Sequence, residues 1–163
     1  HFNKVVQEIA LDVDLENEIN FTHTLIDSVN IVNDTIIALN VYMDNYEGGA
    51  HPIYANNYKN INLNNFSIIT EDDIFVDGYK EKLTEIIKTK LLETSFKDYI
   101  TEETTEEDIK SYFNDFDKIA PNGNFLILDD GIKYIYNPYE IAPYAAGNFE
   151  VLIPNSELSE IRK

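Results

Sequence analysis

Phe125-Leu126-Ile127-Leu128, Asp129-Asp130-Gly131 and Ile132-Lys133-Tyr134-Ile135-Tyr136 follow one another without a break, and this stretch decides the fold. Two apolar runs flank an Asp-Gly step. That dipeptide reverses a chain tightly, because Gly takes up positive φ at no steric cost. The stretch therefore predicts an antiparallel hairpin. Further along, 148–153 reads as a last strand stopped by Pro154. Upstream, 35–43 reads as a strand, with Ile36, Ile37, Leu39, Val41 and Met43 largely on one alternating face. A strand pair is expected across 53–69, turning near Asn64-Asn65. Alternation from Ile9 to Val13 predicts another strand, whereas 15–29 fits helix and strand equally.

Two helices interrupt the strands. Over 78–93, Leu83, Ile86, Ile87, Leu91 and Leu92 recur at helical spacing, with Lys and Glu mostly off the stripe. Over 105–116 the stripe is Ile109, Tyr112, Phe113 and Phe116. Thr104 or Thr105 can cap its start, and Glu106, Glu107 and Asp108 suit the positive end of its dipole. Strands, then helices, then strands give an α+β fold: an antiparallel sheet packed against two main helices, at about 78–93 and 105–116. At 163 residues the chain is expected to be a single domain, 1–163.

The formal net charge is −18, from 30 acidic and 12 basic residues. Such a field repels phosphate backbones and excludes nucleic acid as an expected partner, while it attracts basic proteins. There is no Cys, hence no disulfide and no thiolate metal site. No apolar run approaches the ~20 residues that span a bilayer, so no membrane insertion is expected of this chain. The chain starts at His1 and not at Met. The expectation is a trimmed protein, anchored by a segment upstream of His1.

Candidate chemistry is sparse. His1, His23 and His51 are scattered and form no zinc signature. No GxSxG elbow and no phosphate-binding Gly loop occurs. No metal, cofactor or catalytic residue is expected, and the chain is read as not an enzyme. Glu71-Asp72-Asp73 and Asp129-Asp130 read as solvated turns. Two stretches stand out. In Tyr46-Glu47-Gly48-Gly49-Ala50-His51-Pro52, the paired Gly permits an unusual turn and Pro52 holds His51 extended. The His51 ring is expected to brace this turn through a backbone hydrogen bond. In Tyr136 to Gly147, Pro138 and Pro143 forbid regular structure. Tyr and small residues there suggest a tightly packed crossing, with Glu140 partly buried and paired.

These two stretches carry a resemblance. YEGGAHP (46–52) and IYNPYEIAPYAAGNFEVLIP (135–154) resemble the RsiV-like/PdaC-like extracytoplasmic domain family, found in an anti-sigma factor, beside a peptidoglycan deacetylase domain and in bacterial lipoproteins. Pro138 to Gly147, Ile153-Pro154 and Glu157-Leu158 match its second motif. On this resemblance 1–45 is a partial N-terminal family region and 46–160 the C-terminal one.

The resemblance implies a non-catalytic binding or sensing module of the bacterial cell envelope, located outside the cytoplasm. Its implied partner is a basic protein such as lysozyme, or a cell-wall glycan. The competing reading is a carbohydrate-active domain associated with a wall hydrolase or deacetylase and acting on polysaccharide. Tyr46, Glu47, His51, Tyr139, Glu140 and Tyr144 are the candidate binding residues. Gly48, Gly49, Pro52, Pro138, Pro143 and Gly147 are the candidate structural ones. The oligomeric state is left open.

Overall fold

In a computed structural model, which describes residues 3–7, 21–96 and 101–163, the strands form two antiparallel sheets. The larger has five strands in sequential order: β1 (Asn3–Gln7), β2 (Thr22–Asn33), β3 (Ile36–Tyr46), β4 (Ile53–Asn62) and β5 (Ser67–Ile69). The smaller has three: β6 (Phe125–Ile127), β7 (Gly131–Tyr136) and β8 (Phe149–Pro154). Between them lie α1 (Glu71–Ile74), α2 (Tyr79–Thr94) and α3 (Glu106–Ser111). The α+β class stands as expected, with the strands divided between two sheets. The strand expected at Ile9–Val13 lies outside the described residues.

The Asp-Gly hairpin forms β6 and β7, paired Phe125↔Tyr134 through Ile127↔Ile132. On β7, Ile132, Tyr134 and Ile135 are all fully buried. Consecutive burial means that both faces of this sheet are covered. One face joins Leu83, Ile87 and Leu91 of α2 in the main core, and the other meets Ala38 and Tyr58 of the large sheet. The small sheet is thus the middle layer.

The helix expected at 105–116 is much shorter. Thr105 and Asp108 form a reciprocal capping box, which holds the Asp108 carboxyl below the usual carboxylate range. The last turn then tightens, with Tyr112 and Phe113 N–H bonding three residues back. Asn114 N–H donates to Ile141 O at 2.8 Å, so the helical ladder stops there. Phe113 is buried and Tyr112 exposed. Phe113 instead joins a ring cluster with Phe96, Phe116 and Phe149.

The two sheets are stitched by side-chain amides. Asn60 is only 1% exposed. Its Nδ2 donates to Phe125 O at 2.8 Å, and Ile127 N–H donates to its Oδ1 at 2.8 Å. In the other direction, Tyr58 N–H donates to Asn124 Oδ1 and Asn56 N–H to Asn137 Oδ1, at 2.7 and 2.8 Å. Both amides return a bond to Asn56 O, at 2.9 and 3.1 Å. Replacing Asn60 by the similarly sized Leu strands a buried donor and a buried acceptor on β6. Asn60→Leu is expected to cost about 3 kcal/mol, read as a lowered midpoint in denaturant unfolding.

Candidate functional site

The His51 ring stacks on Tyr144, with centroids 3.6 Å apart and planes 16° from parallel. His51 Nδ1 lies 2.9 Å from Pro52 O, and Tyr144 Oη donates to the same oxygen at 2.7 Å. A carbonyl oxygen only accepts, so Nδ1 carries the proton. In the neutral ring Nε2 is then an acceptor, and Tyr139 Oη, 3.3 Å away, donates to it. Both ring nitrogens are engaged. The row of rings continues inward, Tyr144 meeting Tyr54 edge-on at 5.8 Å and Tyr54 meeting Tyr42 at 6.4 Å. Burial, with the nearby Tyr54 and Asp44, pushes the Tyr144 hydroxyl above its ordinary value.

The loop geometry makes this assembly possible. Gly48 and Gly49 both have positive φ, and Tyr46 Oη donates to Gly49 O at 3.0 Å, closing the turn. Gly147, at φ 72° and ψ −150°, occupies a region essentially closed to other residues. Ile141 and Ala142 are buried, anchoring the motif between its two prolines.

Tyr139 is the exception. It is 57% exposed and held at φ 72°. Left-handed backbone costs a non-Gly residue roughly 1–2 kcal/mol. The ring is thus presented at the surface under local strain.

The candidate binding residues therefore divide. His51, Tyr139 and Tyr144 come together, with Tyr46 bracing the loop beside them and Glu47 exposed on it. Glu140 does not join them. It is exposed, contrary to the expected partial burial, and its two oxygens accept from Asn122 at 2.9 Å and Asn137 at 3.3 Å. It lines a separate cleft of about 260 Å³ with Asn57, Lys59, Asn122 and Asn137.

Glu71 also departs from the solvated turn expected of it. It is half-buried, and its carboxylate accepts from Gly123 N–H at 3.1 Å, Tyr134 Oη at 3.0 Å and Tyr79 Oη at 3.0 Å. It lines a second cleft, of about 240 Å³, with Lys59, Tyr79 and Gly123. Burial, reinforced by Glu71, pushes the Tyr79 and Tyr134 hydroxyls well above their ordinary values. Tyr42, Tyr54 and Glu71 gave no sequence signal beyond strand alternation and acidity. Among the described residues no three His, Asp or Glu side chains gather to hold a metal, and no helix is long and apolar enough to cross a membrane.

A family model described as a protein of unknown function, DUF3298, matches residues 72–156. A crystal structure of a DUF3298 family member from Bacteroides fragilis superposes with a TM-score of 0.75 at 29% identity, covering 88% of this chain and 55% of that one. A DUF3298 family protein from Pseudomonas aeruginosa gives 0.69 at 19% identity, covering 88% and 62%. The chain thus spans somewhat over half the length of these solved relatives. No curated protein matches it.

Two outcomes follow from this geometry. Tyr139→Gly removes backbone strain without opening the core, so stability should hold or rise, by up to about 1 kcal/mol, in thermal unfolding. Tyr134 and Tyr79 have folded-state pKa values above their unfolded ones. Their contribution is therefore whole below about pH 10 and is lost as pH rises beyond it. Stability measured against pH should fall on the alkaline side, and Tyr134→Phe should flatten that fall.

Proposed function

The chain belongs to the DUF3298 family, and we propose that it is a non-catalytic, extracytoplasmic binding module whose partner is a basic protein of the lysozyme kind. One observation carries the reading. An aromatic patch of Tyr139, His51 and Tyr144 is built at the surface, with backbone strain spent on exposing Tyr139, in a chain of net charge −18. Exposed Tyr supplies large, stiff contact area at low entropic cost. Acidity steers basic partners toward the surface and speeds encounter. Asp44, Glu47 and Glu140 lie on the segments that carry these rings.

The lack of catalysis in this reading rests on His51. Each of its nitrogens is committed to an internal partner, the Pro52 carbonyl and the Tyr139 hydroxyl. A general base needs a free nitrogen within reach of substrate. The RsiV-like/PdaC-like resemblance supports the same reading and the same compartment.

The cleft of Asn57, Asn122, Asn137 and Glu140 favours a second reading, in which the ligand is a wall glycan. Amides and a carboxylate suit sugar hydroxyls. Calorimetric titration separates the two. Hen-type lysozyme should give binding heat at low salt and weaker binding near 0.1 M salt, where the screening length is about 10 Å. Tyr139→Ala should weaken it about tenfold. No heat at low salt overturns the lysozyme reading. Heat with soluble wall fragments, insensitive to salt, selects the glycan.

A further inference from the structure

We infer that the outer face of the large sheet is a self-association surface, and that its occupant is a second copy of this chain. The pairing registers place its side chains in four rows: Leu25, Met43 and Ala55; then Asp27, Val41 and Asn57; then Val29, Leu39 and Lys59; then Ile31, Ile37 and Ile61. Ile53 continues the face at one end and Ile68 at the other. None of these side chains is buried. Ile31, Ile53 and Ile68 are 64%, 68% and 56% exposed. The opposite face, with Ala38, Tyr58 and Ile36, is the one that meets the small sheet and the core. A sheet with one solvated face ordinarily alternates apolar with polar residues. Here the solvated face is the apolar one, while the covered face carries Ser28, Asn30, Asn40, Asn56 and Asn60 beside Ala38 and Tyr58.

Charge selects the occupant. Of 30 acidic and 12 basic residues in the chain, these four rows carry one of each, Asp27 and Lys59. Two copies at −18 repel over most of their surfaces and can meet closely only where charge is sparse. The two charges also sit symmetrically. Asp27 on β2 and Lys59 on β4 lie in adjacent rows on opposite sides of β3, so the midpoint between them falls on β3 between Val41 and Leu39. A two-fold axis between the copies, perpendicular to the Asp27–Lys59 line, brings each Asp27 over Lys59 of the partner subunit. Val41 and Leu39 then fill the middle. An isologous interface requires this kind of self-complementarity. From strand spacing and rise, the part of the face on β2, β3 and β4 measures roughly 400 Å² per copy. That is below a standard specific interface and in the range of weak, transient ones, so the dimer should be weak and concentration-dependent. This face points away from the His51 ring stack, and the inference does not depend on the partner proposed for that stack, while Asn57 and Lys59 at its edge also border the Glu140 cleft.

Sedimentation velocity over a rising concentration series tests it, using the whole chain. The expected result is a reversible shift from monomer to dimer. Leu39→Glu, a half-exposed position where folding should survive, should abolish the shift while circular dichroism stays unchanged. Asp27→Lys and Lys59→Asp should each weaken dimerisation at least about tenfold, and the double exchange should restore it. A chain that remains monomeric at the highest concentration overturns the inference. So does a dimer indifferent to Leu39→Glu, or a double exchange without rescue. If Leu39→Glu unfolds the chain, the charge exchange decides alone.

Discussion

The structure depends on asparagine side chains that complete a β-ladder where no strand is present. A strand edge carries alternating donors and acceptors, and leaving them unpaired under a second layer costs 1–3 kcal/mol for each group. Strand β5 covers the outer edge of β4 only from Asn60 to Asn62. Beyond it, Asn124 and Asn137 reach the edge at Asn56 and Tyr58, while Asn60 reaches back to β6. A primary amide offers an N–H donor and a carbonyl acceptor side by side, as a peptide group does. Asp could not replace it, since a carboxylate has no donor for Asn56 O or Phe125 O. The bonds therefore fix both the separation and the registry of the two sheets.

The positions of the clefts and the ring stack follow from those bonds. Asn137 ends β7 and opens the Pro-Tyr-Glu-Ile-Ala-Pro-Tyr stretch, and it also donates to Glu140 Oε1 at 3.3 Å. Asn122, in the loop that leads to Asn124, donates to Ile135 O and to Glu140 Oε2. One amide network thus sets the start of the motif, and the burial of Ile141 and Ala142 sets its middle. With both fixed, Tyr144 has one place to lie, against His51 and Tyr54. The two segments singled out in the sequence, 46–52 and 136–147, form one site because Asn137, just past the end of β7, is bonded to Asn56 of β4.

Much of this was legible in the chain and some was not, for identifiable reasons. The β6–β7 hairpin follows from Asp130-Gly131, and α2 from the spacing of Leu83, Ile87 and Leu91, because each signal is local. The length of α3 was not legible. Its end depends on Asn114 N–H finding Ile141 O, a contact across 27 residues. The amide stitching leaves no period to detect, since Asn is abundant throughout and only tertiary placement distinguishes Asn60 from Asn64. Glu71 was misread for a similar reason. Its acidic neighbours suggest water, while two of the donors that turn it inward, Gly123 and Tyr134, come from distant segments and only Tyr79 lies nearby in sequence. The family motifs located the ring site correctly but not the separation of Glu140 from it. Tyr139 at positive φ turns the chain between these neighbours, so that one side chain faces the rings and the next faces the amides.

The same asparagines also decide which side of the large sheet carries which chemistry. Side chains alternate along β4, with Tyr54, Asn56, Tyr58 and Asn60 on one face and Ile53, Ala55, Asn57 and Lys59 on the other. A slip of one residue would exchange the two sets. Hydrophobicity alone would resist such a slip poorly, because the neighbouring β3 carries apolar side chains on both faces, Ile37, Leu39 and Val41 on one and Ile36 and Ala38 on the other. Directional bonds resist it strongly: shifting β4 by one position turns the Asn56 and Tyr58 N–H groups toward β3 and strands Asn124, Asn137 and Asn60 together. The polar stitching therefore does what a one-sided hydrophobic pattern does in an ordinary sheet. It frees the outer face to remain apolar and nearly uncharged without making the fold ambiguous.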